Sequence, residues 1–106
     1  MPTYNKLVRD HIPEIIEKQG KQCSTKILDY EEYIKELKKK SFEELEEYIN
    51  AESNKAALEE LADVLEIIHA LAKYHGASIE QLEEIRMQKE TERGSFNRRI
   101  FLIEAD

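Results

Sequence analysis

Two long stretches with helical periodicity, separated by a few turn-forming residues, constrain this chain more than any other feature. The first runs from about Asp29, a good N-cap residue, to residue 50 or 51, and the second spans residues 55–75. The segment between them carries the capping residues Ser53 and Asn54. With three glycines and two prolines in 106 residues, the chain lacks the turns of a β-sandwich or barrel. We therefore expect an all-α helical bundle built on two long antiparallel helices.

Shorter elements flank this pair of helices, and the length predicts a single domain over residues 1–106. We expect residues 1–10 to form a loop or extended arm and a first helix to span about residues 13–20. Ser78 begins a last helix that fades near Gly94. The apolar tail is expected to be short and extended, either as a strand or as a cover over the bundle. Its apolar residues are Phe96, Ile100, Leu102 and Ile103.

A carboxylate, Glu60, lies on the apolar face of the second long helix. At about 100° per residue, five apolar side chains fall within about 40° of Glu60, and Asp63 lies about 60° away. The five are Ala56, Val64, Ile67, Leu71 and Tyr74. An ionised carboxylate on a buried face needs a partner, because burial of an unpaired charge is strongly unfavourable.

The first long helix supplies matching acids. Glu47 and Glu60 lie equally far along the chain from a turn at residues 53–54, and so do Glu44 and Asp63. In an antiparallel pair of helices, four carboxylates would then converge about 10 Å from the turn. Their repulsion requires a cation, and ligation by oxygen alone suits Mg²⁺, Mn²⁺ or Ca²⁺ rather than zinc. The alternative is a solvated, charged pair of helices balanced by lysines.

The net charge of −7 is unevenly distributed. Residues 27–85 carry sixteen acidic and six basic side chains, whereas residues 1–26 and 86–106 are each slightly basic. An acidic centre argues against nucleic acid as the main partner, because a phosphate backbone needs a positive surface. The distribution suits a divalent metal ion on the central acids and an anionic ligand held by the basic ends.

The sequence also bears on location. No apolar run approaches the roughly 18 residues of a membrane span, so we expect no membrane partner. The first twenty residues are too charged for a signal peptide. A single cysteine excludes an intramolecular disulfide framework. Together these features predict a cytoplasmic protein.

The spacing of the acidic residues also resembles a known family signature. The sequence E-E-x-x-E over residues 43–47, followed after twelve intervening residues by E-x-x-D over residues 60–63, resembles the signature of the MazG-like all-α nucleoside triphosphate pyrophosphatases. This superfamily includes phosphoribosyl-ATP pyrophosphohydrolase. The likeness to its small single-domain subgroup extends to most of the chain, although His11 stands where lysine is expected. The other similar segments are residues 4–16 (YNKLVRDHIPEII), 59–66 (EELADVLE) and 89–96 (KETERGSF).

The resemblance implies a reaction and a set of site residues. The reaction is Mg²⁺-dependent hydrolysis between the α- and β-phosphates of an NTP or dNTP, giving the monophosphate and pyrophosphate. The resemblance makes Glu44, Glu47, Glu60 and Asp63 the ligands of Mg²⁺, or of Mn²⁺ in its place. Glu43 becomes the residue that orients or deprotonates the attacking water.

Basic side chains on two helices are candidates for binding the phosphates. Arg86, Lys89 and Arg93 form one stripe at helical spacing, and Lys40 shares a helix edge with Glu44. The resemblance favours Lys89 and Arg93. The alternative is that all of these residues only balance the acidic centre or solvate their helices.

Three functions remain open at this point. The first is an NTP pyrophosphohydrolase, and the second is the same chemistry on phosphoribosyl-ATP in histidine biosynthesis. The third is a non-catalytic helical module for oligomerisation or interaction. Because the helix over residues 55–75 is apolar on most of its circumference, we also expect a homodimer or a dimer of dimers.

Overall fold

The computed structural model describes residues 2–106, which form four α-helices. In chain order they are α1 (Ile12–Lys18), α2 (Tyr30–Ile49), α3 (Asn54–Tyr74) and α4 (Ile79–Arg93). No strand occurs within residues 2–106, so the predicted all-α class is confirmed. In the same residues, no helix is both long and apolar enough to cross a bilayer. Residues 2–9 form the predicted irregular arm, and Met1 lies outside the described residues.

Side-chain caps define where three of the helices begin. The carboxylate of Asp29 accepts a hydrogen bond from the backbone N–H three residues later, and the hydroxyl of Ser53 does the same at α3. Ser78 and Gln81 bond reciprocally in the predicted capping box of α4. Beyond α3, Gly76 adopts a φ of 80°, a left-handed conformation that favours glycine and turns the chain towards α4.

Helices α2 and α3 form an antiparallel helical hairpin. Tyr33, in the first turn of α2, faces Tyr74, the last residue of α3, with ring centroids 6.4 Å apart. At the opposite end of the pair, Glu47 approaches Glu60. Because the start of α2 contacts the end of α3, the two helices run in opposite directions. The short connection between them agrees with this arrangement.

The hydrophobic core is small and lies between α2 and α3. Leu37 of α2 is only 3% exposed, and it is buried together with Ile67 and Ala72 of α3. The remaining buried residue in the described part of the chain is an acid, Glu44. Helix α4 packs against α3, and neither α1 nor α4 contributes a buried side chain. The acidic residue is therefore part of the best-packed region of the fold.

The C-terminal tail differs from one expectation. It is irregular rather than a strand, and it turns at residues 96–99, where the backbone N–H of Arg99 donates to the carbonyl of Phe96. It does not cover the bundle either, because Phe96 is 97% exposed and Phe101 and Ile103 are also almost fully exposed. A single segment in an all-helical chain has no neighbouring strand with which to pair its backbone groups, so no sheet forms.

The chain on its own leaves much surface uncovered. It exposes 10010 Å², whereas a compact monomer of this mass exposes about 6200 Å². Its radius of gyration is 18.0 Å, compared with about 13 Å for a compact domain of this length. A stripe of apolar side chains on α3 accounts for part of this surface. The stripe consists of Leu58, Leu61, Leu65 and Ile68.

Candidate metal centre

Three carboxylates meet near the closed end of the helical hairpin. Glu44 and Glu47 lie one turn apart on α2, and Glu60 faces them from α3. One oxygen of each residue lies within 4.8 Å of the others. An ion held at about 2.1 Å from its ligands needs oxygens about 3 to 4 Å apart, so small side-chain rotations would close the site. The structure thus brings together three of the four predicted ligands.

Two oxygens of this cluster are buried without a hydrogen-bond donor. Glu44 is 8% exposed and Glu60 is half-buried, and in each residue Oε2 has no partner among the described residues. A buried carboxylate oxygen without a donor is unfavourable, so it needs either a proton or a cation. Because the donors are carboxylate oxygens alone, the cluster fits a hard divalent cation such as Mg²⁺ or Mn²⁺.

The same environment changes how these acids titrate. Burial raises the pKa of Glu44 above its ordinary value of 4.5, and the charge of Glu47 raises that pKa further. The nearby Lys40 ammonium lowers the pKa of Glu44 and partly opposes both effects. Burial also raises the pKa of Glu60, with hydrogen bonding and charge from Glu47 as the next causes. Both residues therefore hold a proton more readily than an exposed glutamate does.

The fourth predicted ligand, Asp63, is engaged by a residue from the N-terminal arm. Oδ1 of Asp63 accepts a hydrogen bond of 2.7 Å from the guanidinium of Arg9. Asp63 is half-buried on α3, and its charge contributes to the raised pKa of both Glu44 and Glu60. It therefore lies beside the three clustered carboxylates, paired with an arginine.

An open cleft of about 520 Å³ adjoins the carboxylate cluster. Glu43, Glu47 and Glu60 line it, together with the exposed Glu46. One oxygen of Glu43 lies 4.0 Å from Nζ of Lys6, another residue of the arm. The residue predicted to act on water thus shares a solvent-accessible cleft with two of the predicted metal ligands.

Lys40, predicted to bind phosphate, contacts an acid of the cluster. Its Nζ lies 3.6 Å from Oε1 of Glu44, and both side chains are largely buried. Within residues 2–106, no lysine, arginine or histidine lies within 4.0 Å of the carboxylate of Glu47 or of Glu60. Lys40 is therefore placed to compensate Glu44, while the other two clustered acids keep an uncompensated negative charge.

The basic stripe of α4 lies apart from the cleft. Lys89 and Arg93 are exposed, do not line the cleft, and form no ion pair within the described chain. Arg86 is held on its own helix by Glu83 at 2.5 Å and Glu90 at 2.7 Å. Within one copy of the chain, α4 packs only against α3, so the role of Lys89 and Arg93 in binding phosphate stays a prediction.

Two residues at this site, Lys6 and Arg9, were missing from the sequence-based set. Arg9 lies 54 residues before its partner Asp63, so helical spacing carries no sign of their contact. The available signals were the slight basic excess of residues 1–26 and the likeness of residues 4–16 to a family segment. Neither signal indicates which acid each basic residue meets.

Comparisons of this chain with protein-family models, with curated proteins and with solved structures found no match. The resemblance to MazG-like pyrophosphatases therefore stays a prediction based on the acidic pattern and the three similar segments. The function has to be argued from the carboxylate cluster and its cleft.

Proposed function

We propose that this protein is a Mg²⁺-dependent nucleotide pyrophosphohydrolase that cleaves an NTP or dNTP between its α- and β-phosphates. The observation that carries the proposal is the pair of buried carboxylate oxygens without donors, on Glu44 and Glu60. If these acids served only in stabilising salt bridges, a lysine or arginine nitrogen would lie beside each of the two oxygens. Glu60 also lines the neighbouring cleft, which favours a ligand that enters from solvent.

The proposed metal ligands are Glu44, Glu47, Glu60 and Asp63. Three of them are already grouped, and Asp63 lies beside them with one of its two carboxylate oxygens bonded to Arg9. When bound, Mg²⁺ supplies positive charge for phosphate oxygens and lowers the pKa of a coordinated water. The uncompensated charge of Glu47 and Glu60 matches the two positive charges of one such ion.

Glu43 is the proposed group that orients and deprotonates water. Its carboxylate lines the cleft beside the clustered acids and is accessible to solvent. The water oxygen bonds to the α-phosphorus, the bond from that phosphorus to the α–β bridging oxygen breaks, and pyrophosphate leaves. Glu43 accepts the proton of the water as the new bond forms. No nucleophilic side chain is needed for this reaction.

The choice of a nucleotide substrate rests on the resemblance together with the shape of the site. The cleft volume of about 520 Å³ falls in the range typical of small-molecule sites. Phosphoribosyl-ATP is the alternative substrate, since hydrolysis of its pyrophosphate bond would use the same carboxylates. The base and ribose contacts differ between the two substrates, so assays have to separate them.

Product analysis tests the reaction directly. The full chain is incubated with Mg²⁺ and a panel of ordinary and modified NTPs and dNTPs plus phosphoribosyl-ATP, and the products are separated by ion-exchange chromatography. A parallel reaction contains EDTA. We expect metal-dependent release of a monophosphate together with pyrophosphate.

The possible products distinguish the competing readings. Preference for phosphoribosyl-ATP would assign the histidine-biosynthesis reaction. Release of orthophosphate would show that the cleaved bond is a different one. Absence of turnover, together with absence of Mg²⁺ or Mn²⁺ binding in calorimetry, would contradict the enzyme proposal and favour the non-catalytic interaction module.

We also propose that a second copy of this chain covers the apolar stripe of α3. The excess of exposed surface over a compact monomer, almost 4000 Å² by the scaling of monomer surfaces, is ample for an obligate homodimer interface. The stripe lies on α3 away from the face that packs against α2, so a partner could dock without disturbing the carboxylates. Both dimers and dimers of dimers are compatible with this surface.

A further inference from the structure

The N-terminal arm brings two cations to acids of the candidate site. Arg9 donates a 2.7 Å hydrogen bond to Asp63, and Nζ of Lys6 lies 4.0 Å from Oε1 of Glu43. These acids belong to different helices, so the arm contacts both helices of the hairpin. Each of the four side chains is about half-exposed, so an incoming ligand can reach both cations without unfolding the structure.

The two pairings conflict with the roles proposed for their acids. Asp63 cannot present the same oxygen to a metal ion and to the Arg9 guanidinium. The Lys6 ammonium lies 4.0 Å from Oε1 of Glu43, the carboxylate that would hold the attacking water. A metal ion held through Oδ1 of Asp63 would displace Arg9, and a water held by Glu43 would lie where Lys6 now approaches that carboxylate. Both cations would then lie beside the site without their present acidic partners, ready to bind another anion.

We propose that Lys6 and Arg9 are the phosphate-binding residues of this site, exchanging Glu43 and Asp63 for phosphate oxygens of the metal-bound nucleotide. The inference rests on the proposed function and deepens it. In the ligand-free protein, the two cations reduce repulsion among the acids. In the complex, they bind the negative charge of the substrate, with the Arg9 guanidinium suited to a two-pronged contact.

The arm suits this role better than the basic stripe of α4 does within one copy of the chain. None of these basic residues lines the cleft itself, but Lys6 and Arg9 each contact a proposed site acid, whereas Lys89 and Arg93 contact none. Lys40 is held against Glu44 and is largely buried, so it is less able to move to a ligand. Of these basic residues, the arm's two cations are both exposed and adjacent to the site.

The test compares metal binding and nucleotide binding in the same variants. Arg9→Ala, Arg9→Lys and Lys6→Ala are measured beside Arg98→Ala, which removes an exposed arginine that forms no ion pair in the described chain. Calorimetry measures the Kd of Mn²⁺ alone and the Kd of a non-hydrolysable α,β-methylene nucleoside triphosphate in the presence of Mg²⁺. Circular dichroism verifies that each variant is helical.

We expect Arg9→Ala to weaken nucleotide binding by about 10- to 100-fold, because a charge-assisted hydrogen bond is lost. The same variant should bind Mn²⁺ as tightly as the wild type or more tightly, because Asp63 is freed. Arg9→Lys should bind nucleotide with intermediate affinity, and Lys6→Ala should weaken nucleotide binding. In turnover assays, KM should rise more than kcat falls. Arg98→Ala should match the wild type in every measurement.

A variant that loses nucleotide affinity but keeps metal affinity distinguishes phosphate binding from a structural role. Equal loss of Mn²⁺ and nucleotide affinity in Arg9→Ala would mean that Arg9 only supports the fold, which would overturn the inference. Unchanged nucleotide affinity in Arg9→Ala and Lys6→Ala, with a wild type that binds nucleotide, would overturn the inference alone. A wild type that binds Mn²⁺ but no nucleotide would overturn the proposed function as well.

Discussion

Glu60 of α3 faces Glu47 of α2 across the helical hairpin, with carboxylate oxygens of the two residues within 4.8 Å of each other. Two like charges at this distance destabilise the pair unless a proton or a cation lies between them. Within residues 2–106, neither acid has a lysine, arginine or histidine partner within 4.0 Å. A metal ion between the two carboxylates would supply the missing positive charge.

Neutralising Glu60 should separate stability from function. We expect Glu60→Gln to raise the melting temperature of the metal-free protein, because it removes repulsion from Glu47 and a buried negative charge. The same variant should lose turnover by about 100-fold or more, because a metal ligand is gone. Thermal unfolding in EDTA and product analysis in Mg²⁺ measure the two effects.

Glu59→Gln is the matched control for this experiment. Glu59 is the neighbouring residue on α3, is exposed and makes no described ion pair. It should change neither melting temperature nor turnover appreciably. A Glu60→Gln protein that turns over substrate at the wild-type rate would contradict the assignment of Glu60 as a ligand.

The stability of the metal-free protein should depend on pH in an unusual direction. The pKa values of Glu44 and Glu60 are raised above 4.5 in the folded state, mainly by burial. Ionisation of both residues is therefore less favourable in the folded protein than in the unfolded chain. As the pH falls through the raised pKa values, the folded protein takes up protons before the unfolded chain does. Stability should therefore increase from neutral pH towards 4.5.

Thermal unfolding between pH 4.5 and 7.5 in EDTA measures this dependence. Lys40 lowers the pKa of Glu44, whereas Glu47 and Asp63 raise it. The slope of stability against pH therefore reflects the charges of the whole cluster. Saturating Mg²⁺ should flatten or reverse the slope, since the ion competes with protons for the carboxylates. A Glu44→Gln, Glu60→Gln double variant should show a reduced slope without metal. Equal slopes in EDTA for this variant and the wild type would contradict the prediction.

Sequence reasoning captured the local features of this fold and missed the distant ones. The caps at Asp29, Ser53 and Ser78 follow from short-range backbone chemistry, which is why the helix starts were predicted closely. The meeting of Glu47 with Glu60 was predictable because a short connection fixes the register of two helices. The contact of Arg9 depends on the path of an irregular arm, for which the sequence has no periodicity.

The tail shows a different limit of the sequence. Apolar residues such as Phe96 and Ile103 predicted a covering segment, yet they are exposed in the single chain. Hydrophobicity indicates that a segment gains from burial, but it does not identify the surface that buries it. In a chain with so small a core, that surface can belong to another copy of the molecule.

Lys40 should stabilise the metal-free protein through Glu44. Its ammonium lies 3.6 Å from a largely buried carboxylate. Replacement by methionine keeps an unbranched apolar stem of similar size but leaves Glu44 without its cation. We expect Lys40→Met to lower the free energy of unfolding in EDTA by about 1–2 kcal/mol. Urea denaturation measures the change.

Lys39→Met is the control for the Lys40 variant, since Lys39 is the adjacent residue of α2, is exposed and forms no described ion pair. It should change the free energy of unfolding by less than about 0.5 kcal/mol. Saturating Mg²⁺ should recover part of the stability lost in Lys40→Met, because the ion compensates the same carboxylate. Equal destabilisation of the two variants would show that the contact with Glu44 contributes nothing.

The apolar stripe of α3 should be the contact between copies of the chain. Leu58 is 67% exposed, so Leu58→Glu places a charge on the stripe without disturbing the packing of the single chain. We expect the wild type to form a dimer or tetramer at micromolar concentration and Leu58→Glu to dissociate it, since a buried unpaired carboxylate is strongly unfavourable. Light scattering coupled to size exclusion measures the mass.

Lys55→Gln, one turn away on the charged side of α3, makes the same change in net charge and should leave the assembly intact. A monomeric wild type, or a Leu58→Glu protein with the wild-type mass, would contradict this interface.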